Sequence, residues 1–177
     1  MVKEDFRADL HCHSTCSDGT LTPQELVLEA VKVGLKGLSI TDHDTIEAYD
    51  QALPLAQEKG LLLLPGVEFS TVHKGIEIHV LGYGYDVNSP ILRRFCERHS
   101  RRRCRRIEMI QELLAKQGME VEINSTAHSL GRPHIAVAML AKGYVKSIEE
   151  AFNKYLGRGQ SCYCSLHPVS VPETIEV

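Results

Sequence analysis

Six candidate metal ligands, His11, His13, Asp18, His43, Glu68 and His79, fall in four short clusters: Asp9-Leu10-His11-Cys12-His13 with Asp18, Thr41-Asp42-His43-Asp44, Gly66-Val67-Glu68-Phe69 and Ile78-His79-Val80. Each cluster lies where an apolar run stops. His11 and His13 are two apart at a strand end, so their imidazoles share a face about 6–7 Å apart and can converge on one divalent ion. Asp18 follows in a Ser-Asp-Gly-Thr turn, where an Asx-turn is the bland alternative. His43 stands between two carboxylates, and Asp42 is placed to hold its other nitrogen, as a ligating imidazole requires. Asp44 or Thr45 suits a helix N-cap. Glu68, between Val67 and Phe69, is expected to be half-buried, and a buried carboxylate needs a cation or a donor. His79 sits in an alternating strand, where a core histidine is the ordinary outcome. The four coincidences in order outweigh the separate bland readings and point to a multinuclear site for hydrolysis. Mixed histidine and carboxylate ligands suit Mn²⁺, with Zn²⁺ or Fe²⁺ as alternatives, over Ca²⁺ or Mg²⁺.

The elements that carry these residues are legible from their boundaries. Phe6–Leu10 reads as a first strand. Thr22-Pro23-Gln24-Glu25 is a capping box with proline at the first helical position, and Gly34 ends that helix. Gly37–Ile40 is a second strand, positions 46–59 a second helix, and the continuously apolar Leu61–Leu64 a third strand buried on both faces. Ile76–Leu81 alternates as a fourth strand. Strand and helix alternate at the spacing of a mainly parallel sheet, whose C-terminal strand ends are where an α/β barrel builds its site.

After Asp86 the pattern turns helical. Asn88-Ser89-Pro90 opens a long helix to about Gly118 with eight arginines between Arg93 and Arg106. They spread around the helix, which predicts a solvated face with one or two arginines near substrate. Further helices are expected near His134–Lys142 and Ile148–Leu156, the latter with a capping box at Ser147-Ile148-Glu149-Glu150. The division expected is an N-terminal α/β part over 1–89, an all-helical insert over 90–157 and a return to the barrel over 158–177.

The bulk numbers are those of an ordinary globular protein: 177 residues, 43% hydrophobic, 24% charged, net charge −3. That charge gives no general attraction to nucleic acid, so any basic patch must be local. No export signal and no membrane-length apolar run accompany the six scattered cysteines, which predicts reduced thiols and a cytoplasmic location with no membrane partner. A structural zinc site of Cys12, Cys16, Cys162, Cys164 and His167 is a weaker alternative, since Cys-x-Cys is an unusual spacing for it.

The chain resembles the PHP (polymerase and histidinol phosphatase) family of metal-dependent phosphoesterases, in the branch of nucleoside bisphosphate phosphatases and 5′-3′ exoribonucleases. The matching pieces are Asp9–Thr20, Ser39–Thr45, Pro65–Ser70, His79–Tyr83, Gly131-Arg132-Pro133-His134 and Ala151–Gly157. The resemblance implies a distorted seven-stranded α/β barrel interrupted by a helical insert, with up to three metals. By that resemblance His11 and His13 bind one ion, Glu68 bridges it to a second held also by His79, and Asp18 and His43 hold a third. Arg132 and His134 reach from the insert to substrate phosphates, and a metal-activated water attacks a phosphomonoester or terminal phosphodiester of a nucleotide or short RNA. A non-catalytic, polymerase-associated module and a histidinol-phosphate phosphatase are the rival expectations. The family supplies further ligands, a histidine and a late Asp-x-His pair, that nothing here matches, and His167 lies too early to replace them. With only about 110 residues of α/β material and a helix start at Ser170–Thr174 just before the end, the chain is expected to be an N-terminal part with an incomplete barrel, weakly active and prone to self-association.

Overall fold

The structure is a computed structural model and describes residues 6–165 and 169–177. It is an α/β fold with an appended set of helices. The chain runs β1 (Ala8–Cys12), α1 (Pro23–Lys32), β2 (Gly37–Ile40), α2 (Glu47–Glu58), β3 (Leu62–Leu63), β4 (Gly66–His73) and β5 (Ile76–Tyr83). Then follow α3 (Pro90–Ala115), α4 (Arg132–Ala141), α5 (Ile148–Ala151), a π-helical turn (Phe152–Leu156) and α6 (Val171–Ile175).

The local signals act as their chemistry requires. Thr22 Oγ1 accepts the Glu25 N–H at 3.2 Å and Glu25 returns by accepting the Thr22 N–H at 2.8 Å, so both open donors at the start of α1 are satisfied. Gly34 follows the end of α1 at φ +78°, the left-handed conformation that stops a helix cheaply. At α5 only half of the expected reciprocal cap forms. Ser147 accepts from the Glu150 N–H at 3.0 Å, but the Glu150 carboxylate takes the Lys146 N–H at 2.6 Å and the Lys154 ammonium. Residues 119–131 contain no helix, so the stretch after Asp86 is not helical throughout.

The sheet differs from the sequence expectation in two ways. β1, β2 and β3 are parallel in that order, but β4 and β5 form an antiparallel pair from Gly66↔Tyr83 to His73↔Ile76. The run before Gly66 gives only two strand residues, and a second, separate strand begins at the glycine itself. Of the parallel strands, only the central β2 is buried throughout, while β1 and β3 leave one face exposed. Helices α1 and α2 cover one face, where Val27, Ala30, Leu38, Ile40, Ala52, Ala56 and Leu63 form a core. Leu10 and Leu62 on the other face remain 46% and 62% exposed.

The two sheets are joined next to the site. The His43↔Glu68 parallel bridge runs β4 beside the segment after β2, with Asp44 N–H to Glu68 O at 2.9 Å and Glu68 N–H to Asp42 O at 3.2 Å. Gly66 makes this approach possible: a Cβ there would lie 2.1 Å from Ser39 Oγ and 2.9 Å from Thr41 Cγ2. A separate core of Ile107, Ile110, Leu114, Ile135, Met139 and Leu156 holds the helices. A third, with Val67, Phe69, Leu92 and Phe95, seats α3 on β4. Among the described residues no helix is long and apolar enough to cross a membrane.

Candidate metal centre

The six ligand-type residues come together at one place. His11 is the penultimate residue of β1, His13 follows the strand, and His43 lies just past β2. Glu68 is the third residue of β4 rather than the end of β3. His79 is in the middle of β5, opposite Ser70, rather than at a strand end. The imidazole centroids form a chain, His11–His13 at 5.4 Å, His13–His43 at 4.6 Å and His43–His79 at 4.9 Å.

Glu68 is the hub. Its Oε2 lies 2.9 Å from Nε2 of both His11 and His13 and 3.8 Å from His43 Nδ1, and its Oε1 meets His79 Nδ1. Asp18 stands 3.6 Å from His13 Nδ1 and 3.7 Å from His43 Nε2. Three overlapping groups result: His11 with His13 and Glu68, His13 with Asp18 and His43, and His43 with Glu68 and His79. Ligand atoms each about 2.0–2.2 Å from one ion lie roughly 3–4 Å apart; the Asp18 and His43 pairs fall in that range, and Glu68 sits at hydrogen-bond distance from His11, His13 and His79.

The electrostatics of Glu68 and His43 fit that use, while those of His13 run the other way. Burial pushes the Glu68 carboxyl up, but hydrogen bonds from His13 and His79 outweigh it and hold the group ionised, well below the usual carboxylate range. Burial and then the positive charge of Arg103 push His43 down to about 4, so this imidazole is neutral, the form in which histidine ligates. Its Nδ1 is buried and, among the described residues, has no hydrogen-bond partner. His13 is raised: burial opposes the charged form, but Glu68 and Asp18 favour it more.

The loop that carries His13 and Asp18 is folded by Asp42. Contrary to the sequence expectation, this fully buried carboxylate holds no imidazole among the described residues. It accepts the Ser14 N–H at 2.8 Å and the Ser14 and Ser17 hydroxyls, closing the loop over residues 13–18. A Cβ at Gly19 would lie 2.1 Å from the His13 carbonyl oxygen, so the loop closes this tightly only around glycine.

Asp44 is no helix cap either. The residue before α2 is Ile46, without a side-chain cap. Asp44 is fully buried at φ +55° and accepts from Arg103 Nε, His99 Nδ1 at 3.0 Å and the Ser70 N–H at 2.8 Å. Burial raises its carboxyl, yet the Arg103 guanidinium and His99 hold it well below the ordinary range.

Opposite the histidines, a cavity of about 180 Å³ is walled by Arg103, Arg106 and Arg132, with Asp18, His43 and His79 on the other side. Arg132 donates to Leu156 O at 3.2 Å and to Glu77 Oε2 at 3.4 Å, and lies over the Phe152 and Tyr163 rings. Arg106 donates to Cys164 O at 2.6 Å and to Glu77 Oε1 at 3.2 Å. Glu77, lowered by Arg106 and Arg132 against the effect of burial, thus sets two guanidinium groups side by side. His134 is placed differently. It lines a neighbouring cavity on the Asp18–Thr20 side, and its Nδ1 accepts the Gly131 N–H at 3.0 Å.

Sequence reasoning named neither Arg103, Arg106 and Glu77 as a unit nor the Asp44 pair. One signal was available. Arg103 and Arg106 continue the buried stripe of α3 formed by Leu92, Phe95, Cys96, His99, Ile107, Ile110 and Leu114, so they sit at core positions of a 3.6-residue repeat. The four cysteines of the alternative zinc site divide between two cores, Cys12 and Cys16 with the parallel strands and Cys162 and Cys164 with the helices. His167 lies outside the described residues.

Comparison with known proteins agrees with this geometry. The PHP domain matches residues 9–157. The 5′-3′ exoribonuclease Rnm of Escherichia coli K12 is 35% identical over 176 residues, which cover 96% of this chain and 60% of that protein. The 3′,5′-nucleoside bisphosphate phosphatase of Chromobacterium violaceum is 29% identical over 173 residues, 94% of this chain and 61% of that one. A solved structure from Bifidobacterium adolescentis, assigned as a metal-dependent phosphoesterase, superposes with a TM-score of 0.87 at 32% identity, over 95% of this chain and 61% of its own. The chain therefore spans about 60% of the length of the curated relatives it matches. Four histidines gathered on one buried glutamate, facing a wall of arginines, on a chain that matches this domain from Asp9 to Gly157, make the protein a member of the PHP family.

Proposed function

We propose that the protein is a metal-dependent phosphoesterase acting on phosphate esters of nucleotides, such as nucleoside 3′,5′-bisphosphates, or on the 5′ end of short RNA. The observation that carries this reading is that three overlapping ligand groups present Asp18, His43 and His79 to one small cavity that three guanidinium groups also line. The relatives named for exoribonuclease and bisphosphate phosphatase activity support it. On this reading His11, His13, Asp18, His43, Glu68 and His79 would hold up to three divalent ions, Mn²⁺ by preference, and Glu68 belongs to two of the ligand groups. Such ions supply a lowered pKa for attacking water and charge neutralisation at the phosphoryl oxygens.

The chain's own residues do the rest. Glu68 brings four imidazoles together and stays ionised. Asp42 fixes the loop that presents His13 and Asp18. Arg132, held by Leu156 O and Glu77, offers a planar fork to phosphate oxygens, and Arg103 and Arg106 add positive charge to the same wall. His134 approaches substrate from the Asp18 side. The helices from α3 to the π-helical turn form an insert that carries this wall to the barrel part.

The test is phosphate release from a nucleoside 3′,5′-bisphosphate with added Mn²⁺. His43→Ala and Glu68→Ala should abolish it, and Arg132→Ala should chiefly raise KM with metal content unchanged. Full activity in Glu68→Ala would reject the mechanism.

A further inference from the structure

The arginine run of α3 splits into two main faces, only one of which belongs to the site, while Arg93 turns aside to pair with Asp50 at 3.3 Å. Arg103 and Arg106 are buried against the cavity. Five others, Arg94, Arg98, Arg101, Arg102 and Arg105, line an open groove of about 580 Å³ on the opposite face, with Glu97 as the sole carboxylate among the lining residues. Positions 94, 98, 101 and 105 step by four, three and four, so they form one stripe. From Arg94 to Arg105 the stripe is about 16 Å long at 1.5 Å per residue.

Five cations on one face are a strong local excess in a chain of net charge −3. They are only partly neutralised. Arg98 pairs with Glu173 at 2.6 Å and Arg101 with Glu97 at 3.5 Å, while Arg94 and Arg105 have no ion-pair partner among the described residues. Arg102 Nη1 is buried and unpartnered there. Like charges held this close repel one another, and a polyanion relieves that repulsion. The groove lining has no leucine, phenylalanine or tryptophan, so it lacks the apolar face of a helix that lies on a membrane. It also lacks aromatic stacking platforms, which leaves phosphate contacts without base preference.

We propose that this stripe of α3 binds the phosphate backbone of single-stranded RNA outside the catalytic cavity. The inference rests on the reading of the protein as a nucleotide or RNA phosphoesterase. One helix, about 10–12 Å across with its side chains, then presents Arg103 and Arg106 to the scissile end and the stripe to following phosphates. The stripe favours longer substrates over mononucleotides and does not select sequence.

The experiment is binding of a fluorescent single-stranded RNA of about 12 nucleotides, by anisotropy, across roughly 50–200 mM salt with a metal chelator present. The triple variant Arg94→Ser, Arg101→Ser, Arg105→Ser changes exposed side chains only. It should lower the magnitude of the log–log salt slope by about 2, since each single-strand phosphate contact contributes roughly 0.7. Glu97→Gln should strengthen binding. Metal content and turnover of a nucleoside bisphosphate should not change in either variant. An unchanged salt slope in the triple variant overturns the inference, as does binding to phosphatidylserine vesicles with none to RNA. Because binding is read without metal, wild-type protein that binds RNA through the stripe but hydrolyses no phosphate ester would reject the proposed function alone.

Discussion

Removing the Asp44 carboxylate should cost this protein far more than a residue outside the ligand set normally would. Asp44 is fully buried and faces Arg103 and His99, both also buried, while taking the Ser70 N–H. Asp44→Ala leaves a buried guanidinium without its counter-ion, a loss of about 3–5 kcal/mol. It also puts alanine at φ +55°, which asparagine and aspartate tolerate better. At about 2–4 °C per kcal/mol for a chain of this size, the melting temperature at neutral pH should fall by roughly 6–20 °C. Asp44→Asn keeps the backbone conformation and the Ser70 contact but loses the charge, so it should fall between the two. The pH dependence gives an independent check. The Asp44 carboxyl is held below its ordinary 3.8, so its contribution is complete above that value and lost as pH falls through the lower, folded-state value. Wild type should therefore lose more stability than Asp44→Asn as pH falls below about 4. Thermal unfolding followed by circular dichroism measures both. A melting temperature for Asp44→Ala within about 2 °C of wild type at neutral pH would refute the reasoning.

Three further outcomes follow from the site geometry. Glu68→Gln should deplete bound metal more than His11→Ala by elemental analysis, because Glu68 belongs to two ligand groups and His11, half-exposed, to one. Gly19→Ala should weaken metal binding although residue 19 is no ligand, since its Cβ would press on the His13 carbonyl and open the loop; unchanged metal affinity by titration would contradict this. Glu77→Ala should free Arg106, Arg132 and the Tyr163 hydroxyl, raising KM for a phosphorylated nucleotide with metal content retained, and a steady-state comparison reads it directly.

The amino-acid sequence by itself determined the pieces whose causes are local. Thr22, Pro23 and Glu25 open α1 because an N-cap reaches only three residues. The ligand types are visible at His11, His13, Asp18, His43, Glu68 and His79 because imidazoles and carboxylates recurring where apolar runs stop have few bland explanations in series. Only the tertiary structure decided which groups face each other across long loops. Glu68 became the hub by lying in a new strand beside residue 43, not by ending the previous one, and a two-residue β3 cannot be told from a longer one by an apolar run alone. Asp42 and Asp44 sit in one tetrapeptide with opposite duties, one folding a loop through two serines, the other anchoring an arginine 59 residues away. Nothing in their spacing separates them, since the partner is chosen by packing of α3 on β4. The same packing turned Arg103 and Arg106 inward and left Arg94, Arg98, Arg101 and Arg105 outside, so residue type alone could not sort arginines that differ only in helical phase.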